Sequence, residues 1–147
     1  MIHIEFSVEI DRPPSEVFAY LTDTDRLPEW QSSAVEAQWQ GEKAPGAHIR
    51  EVRRFLGRRM ETEIEVTAYE PDRRFGLRAI SGPVPFSVLH VLEPRGGGGT
   101  TLSFSGDGDP GGFFKMAEPV VARVAERQFK NDFETLKDIL EGGASQQ

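Results

Sequence analysis

The sequence predicts an α+β fold: a seven-stranded, curved antiparallel sheet wrapped around a long C-terminal helix, with two short helices between the first and second strands. Three observations predict it. From Ala47 to Gly106 apolar and polar residues alternate, interrupted only by turn-formers, which is the period of strands joined by hairpins. Over 113–140 the period changes to that of an amphipathic helix. A lone helix that follows an antiparallel sheet has to bury its apolar stripe, and the concave sheet face is the surface on offer.

The 147 residues fit one domain, placed over 1–141, with a flexible Gly-Gly-Ala-Ser-Gln-Gln tail over 142–147. A chain of this size buries roughly 70% of its unfolded surface, enough for a core without staples. The formal charge is −7, which makes a phosphate backbone a poor partner, so no nucleic acid is expected. Arg50, Arg53, Arg54, Arg58 and Arg59 form the one basic cluster, and Glu61, Glu63 and Glu65 follow to neutralise it. There is no cysteine, hence no disulfide framework and no thiolate metal site. The N-terminus MIHIEFSVEI has no basic region of a cleavable signal. No apolar run approaches the roughly 18 residues of a membrane span. A cytoplasmic location is expected, and a homodimer is compatible with everything read here.

Along the chain, Ile2, Ile4, Phe6, Val8 and Ile10 share one face of a strand that Asp11-Arg12-Pro13-Pro14 stops. Pro14 suits a helix first turn, and Val17, Phe18 and Leu21 give that helix its apolar face. Thr22-Asp23-Thr24-Asp25 interrupts it, and either acid can cap a second short helix ending at Trp30. Residues 33–39 read as strand and 41–46 as loop. In the next hairpin a two-residue turn with Gly57 first, of type II′, sets Leu56 opposite Arg59. Arg53 then faces Thr62, Glu51 faces Ile64, and both point inward, while Val52 points to solvent. Glu70-Pro71-Asp72-Arg73 and Ser81-Gly82-Pro83-Val84-Pro85 make the following turns. Phe75, Leu77, Phe86, Val88, His90, Leu92, Leu102 and Phe104 face inward. In the final helix Pro119 bends or restarts the chain. An early apolar face of Phe113, Ala117, Val120 and Val124 gives way near Gln128 to Phe129, Phe133, Leu136 and Leu140.

With this element order the wording resembles the START-like helix-grip superfamily, SRPBCC, and within it the bacterial polyketide cyclase/dehydrase-like proteins. The resembling stretches are PPSEVFAYLTD (13–23), LPEW (27–30), Arg50-Glu51-Val52 leading to FLGRR (55–59), VTAYEPDRRF (66–75), SGPVPF (81–86) and ERQFKNDFETLKDIL (126–140). They cover nearly the whole chain. The resemblance implies a deep cavity between long helix and sheet. Members bind sterols, lipids, quinones or plant hormones, act as aromatase/cyclases, or serve as co-chaperones. It transfers no catalytic motif to any residue of this chain, and no cofactor.

The expected occupant of the cavity is a small hydrophobic molecule of lipid, polyketide or isoprenoid type. Phe55, Met60, Ile64, Leu77, Val88 and Phe104 supply apolar walls, and Trp30 stands at the pocket entrance or staples its helix to the sheet. Val124 and Gln128 come from the helix roof. Glu51 and Arg53, two residues apart on one inward face, either orient the polar end of a ligand or send their heads to solvent at the cavity mouth. His90 is a satisfied core histidine or a general acid-base, and it and Glu51 are the candidates for catalysis in an aromatase/cyclase. A protein-interaction module, with a shallow or filled cavity, is the third reading. Asp107-Gly108-Asp109 with Glu118 imitates a calcium loop, but Gly replaces the fifth ligand and a strand precedes it. His3, His48 and His90 have no zinc spacing, and no metal is expected.

Overall fold

The alternation at the N-terminus becomes β1 (Ile2–Ile10). In the computed structural model, which describes residues 1–145, there follow α1 (Pro14–Leu21), a 3-10 turn (Thr24–Arg26), α2 (Leu27–Trp30), β2 (Ala34–Gln40), β3 (His48–Phe55), β4 (Arg58–Glu70), β5 (Arg74–Ser81), β6 (Phe86–Arg95), β7 (Gly99–Gly108) and α3 (Glu118–Ser145). The expected tail, 142–147, lies partly outside the described residues. Pro14 opens α1, where a missing N–H costs nothing, and Val17, Phe18 and Leu21 are buried beneath it. The Asp23 carboxylate caps the 3-10 turn by accepting from the Asp25 N–H at 3.1 Å.

All strand pairs are antiparallel, in the order β1-β7-β6-β5-β4-β3-β2. Consecutive strands are neighbours from β2 to β7, as hairpins require. The crossing from β1 to β2, at opposite edges, is made by α1 and α2. Register breaks between Ala34 and Glu36, Glu63 and Ile64, and Val66 and Ala68 bend the sheet. Its inner faces therefore turn towards one another and towards α3. This is the helix-grip arrangement that the resemblance implies.

The β3–β4 turn differs from the expected one by a residue. Phe55 pairs with Arg58, so Leu56 and Gly57 make the turn, both at positive φ (50° and 77°). That is the type I′ geometry, whose twist matches a right-handed hairpin as well as type II′ does, and Gly57 takes the second positive φ without strain. Arg53 accordingly lies opposite Met60, Glu51 opposite Thr62 and Ile49 opposite Ile64. Moving a turn by one residue shifts pairing by two, so every side chain keeps its face. On the outer face the charges meet diagonally, with Arg50 on Glu61 at 2.9 Å. Val52, expected in solvent, is 1% exposed. It stands on that outer face between Glu36 and Glu61 and is not part of the core cluster.

The C-terminal helix begins later than its period predicts. Residues 113–117 are loop, with Lys115 at positive φ, and Pro119 falls in the first turn of α3 rather than at a bend. Without Phe113 and Ala117 the stripe has one phase throughout. Val121, Ala125, Asp132, Phe133 and Leu136 are buried, while Val120 is 46% exposed. No crossover occurs near Gln128. The helix is tied along β1 by Arg12, which donates to the Leu140 and Glu141 carbonyls at 3.1 Å each.

Gly57→Ala is expected to lower stability by about 1 kcal/mol, because an L side chain resists the left-handed region. Urea midpoints compared with wild type check this.

Candidate functional site

One helix leaves part of the concave surface uncovered. Residues from all seven strands, α2 and α3 border a cavity of ≈ 230 Å³, partly open to solvent. Its wall contains Trp30, Glu51, Arg53, Phe55, Met60, Ile64, Leu77, Val88, His90 and Phe104, brought together from six elements. Val124 and Gln128 are only partly buried and do not border it. Their expected places go to Val121, Ala125 and Phe129. The cause is the late helix start: a stripe drawn through Ala117 and Val120 is one residue, or 100°, out of phase with the real one.

The Glu51–Arg53 pair is closed on itself. Arg53 Nε donates to Glu51 Oε1 and Nη2 to Oε2, both at 3.0 Å. The rest of the fork is held by Ser33 Oγ and by Gln31 Oε1, the latter at 2.6 Å. Burial opposes the guanidinium charge, but Glu51 outweighs it through charge and hydrogen bonding, with Asp132 adding, and Arg53 is held above its ordinary value. The side chains are 11% and 18% exposed, so the pair is largely buried. This fork joins β3 to the α2–β2 connection.

His90 is enclosed by the rings of Phe104 at 5.5 Å, Phe75 at 5.8 Å and Phe133 at 5.9 Å. Its Nδ1 lies 2.9 Å from the Phe75 carbonyl oxygen, which can only accept, so Nδ1 carries the proton. Burial pushes its pKa down to about 4, against the weaker pull of that hydrogen bond. At neutral pH it is therefore an uncharged ring whose Nε2 offers a lone pair.

Two residues that sequence reading did not bring together occupy the corner where α2 meets α3. Asp132 is 3% exposed, and its Oδ1 accepts from Ser32 N at 3.2 Å and Ser32 Oγ at 3.0 Å. Burial raises its pKa, while the Ser32 hydrogen bonds and the Arg53 charge pull the other way. Trp30 packs edge-on against Phe133 at 5.1 Å, so it both staples α2 to α3 and borders the cavity. The signal for Asp132 was present: a lone acid on the apolar stripe Val121-Ala125-Asp132-Leu136, at i, i+4, i+11 and i+15.

The rim and floor are set locally. Phe114 enters the wall from the loop before α3 and meets Phe55 edge-on at 5.4 Å. Arg58 holds that loop, its guanidinium 4.3 Å from the Phe113 ring centroid and its Nη1 donating to the Phe113 carbonyl at 2.8 Å. At Gly106, in the wall on β7, a Cβ would lie 3.2 Å from the Phe104 ring and 3.4 Å from Val88 Cγ2. The loop that imitates a calcium site is otherwise employed: Asp107 belongs to β7 and bonds His3, and Asp109 accepts from the Gly111 N–H.

The His90 value in the folded protein lies below its free value of 6.5, so the unfolded chain takes up the proton first as pH falls. The contribution is whole above pH 6.5 and lost on the way to about pH 4. Between pH 7 and 4, wild type is expected to lose about 2–3 kcal/mol more than His90→Gln, read from urea unfolding. Glu51→Ala strands a buried guanidinium and is expected to cost about 3–5 kcal/mol, whereas the joint change Glu51→Leu with Arg53→Met recovers most of it in the same assay.

Comparison with solved structures places this architecture among known ones. A conserved protein from Geobacillus kaustophilus has a TM-score of 0.80 at 18% identity, over 96% of each chain. A START superfamily protein from Mycobacterium smegmatis has a TM-score of 0.79 at 14% identity, over 95% of this chain and 97% of that one. The di-domain ARO/CYC StfQ from the steffimycin biosynthetic pathway has a TM-score of 0.73 at 12% identity, with 97% of this chain covering 46% of that one. These likenesses establish the fold. Among curated proteins none matches in sequence. Residues 1–141 match the sequence model of a family described as polyketide cyclase / dehydrase and lipid transport, so the chain belongs to that family.

Proposed function

We propose that this protein binds one compact, mainly apolar molecule in the cavity between its sheet and α3. The observation that carries this is the unfilled interior itself, walled by aliphatic and aromatic side chains with few polar groups, the usual composition of a small-molecule site. Its ≈ 230 Å³ lies just below the common range of about 300–1,000 Å³. An apolar hollow of about 150 Å³ takes a benzene. The ligand is thus a one- or two-ring molecule, or the end of a longer one that extends through the mouth. The family description, which includes lipid transport, agrees with a carrier. No helix among the described residues is long and apolar enough to cross a membrane, and the setting proposed is the cytoplasm.

A cyclase reading has one observation in its favour, the free Nε2 of His90 in the wall. Against it stands the pKa of about 4, which makes the neutral ring a weak base at pH 7. Both carboxylate oxygens of Glu51 are engaged with Arg53. A protein-interaction module would have its interior filled, and this interior is open.

Val88→Phe places a ring in the cavity. It is expected to weaken binding of a neutral solvatochromic dye at least tenfold, while circular dichroism stays that of wild type. Native mass spectrometry of the gently purified protein is expected to show an added mass that the variant lacks. Equal dye binding by both proteins would count against the cavity as the site.

A further inference from the structure

Most polar groups in the cavity wall already satisfy one another. The Arg53 fork is engaged with Glu51, Gln31 and Ser33, and His90 Nδ1 donates to Phe75. Beside the lone pair of His90 Nε2, two further atoms stand apart. Asp132 Oδ2 and Trp30 Nε1 are buried without a hydrogen-bond partner, and both residues border the cavity. Folded proteins leave few such atoms unmet, and those that remain call for an explanation. One is an acceptor and the other can only donate. They belong to a single corner: Ser32, two residues beyond Trp30, holds the other oxygen of Asp132, and Phe133, next to Asp132, packs on the Trp30 ring.

We propose that this corner is the polar subsite of the cavity and that it takes a neutral hydroxyl group, an alcohol or phenol carried on a compact ring. The hydroxyl proton is donated to Asp132 Oδ2, and the hydroxyl oxygen accepts from Trp30 Nε1. This rests on the cavity being the binding site. Other polar ends fit worse. A carboxylate would meet the Asp132 oxygen with no cation to receive it, since Arg53, the sole Lys or Arg among the described wall residues, has its fork engaged with protein. An ammonium would suit Asp132 but offers no lone pair to the indole. A bare hydrocarbon would leave both atoms unmet. A site built to hydrogen-bond a hydroxyl discriminates strongly against an analogue that lacks it.

The test is a titration of the full chain with naphthalene, a naphthol, a naphthoate and a naphthylmethylammonium, followed by tryptophan fluorescence. Wild type is expected to bind the naphthol about tenfold or more tightly than naphthalene, with the naphthoate weakest. In Asp132→Asn the amide oxygen stays with Ser32 and the NH₂ turns to the cavity, so acceptor becomes donor. The naphthol advantage should then fall to within about twofold, and a naphthaldehyde should gain. Trp30→Phe should also reduce the advantage, and it decides the matter with the wild-type series if Asp132→Asn does not fold. Equal wild-type affinity for naphthol and naphthalene overturns the proposal. So does a naphthoate or naphthylmethylammonium that binds tightest, or a naphthol advantage unchanged in Asp132→Asn. Naphthalene binding that survives while the advantage is missing removes only the subsite, whereas failure of all four compounds to bind removes the cavity reading with it.

Discussion

An α-helix is about 10–12 Å across with its side chains, and strands lie about 4.8 Å apart, so one helix covers two or three strands. Here a single long helix faces a sheet of seven. The helix is held along the β1 edge by Arg12 and by apolar contact, which leaves the inner faces of the strands farther away without a lid of comparable width. Bulges on β2 and β4 bend those strands back, and α1 and α2 close the remaining side. The hollow is thus a consequence of element count. It is not a packing defect at some one residue, and large wall residues such as Phe104 and Met60 narrow it without filling it.

Most polar groups inside are used up in holding the fold, whereas the corner of Asp132 and Trp30 is only partly so used. Glu51 and Arg53 look like ligand hooks in the sequence, but the fork geometry makes them a clamp between β3 and the segment after α2. Buried ion pairs seldom add much stability; their removal one partner at a time is what hurts. Asp132 is different. One oxygen is used to anchor Ser32, and the other is buried without a hydrogen-bond partner, as is the indole N–H of Trp30. An isolated core would be better served by an apolar residue at both positions.

Alternation was enough to assign faces, because a period of two is insensitive to a turn displaced by one residue. That is why Glu51, Arg53 and His90 were placed inside although the β3–β4 turn was mislocated. The helix was harder. Phe113 and Ala117 fall at helical spacing but lie in a loop shaped by Lys115 at positive φ and by the grip of Arg58 on Phe113, neither of which a periodic pattern encodes. Including them rotated the stripe by one residue, pointing to Val124 and Gln128 where Val121, Ala125 and Phe129 belong. Asp132 was passed over for a related reason: a search for apolar faces discards the charged residue that interrupts one. Val52 departs in the opposite direction: it is buried on the outer face, where alternation predicts exposure.

Gly106 gives the hollow a gauge. The Phe104 ring lies so near this position that a single added methyl would press on it, and Val88 bars retreat on the other side. The room on this side of the chamber therefore depends on one missing side chain on β7, the strand next to the β1 edge. An added carbon at this position would narrow the hollow from the β7 side, and the Phe104 ring would have to yield by a few tenths of an ångström to admit it.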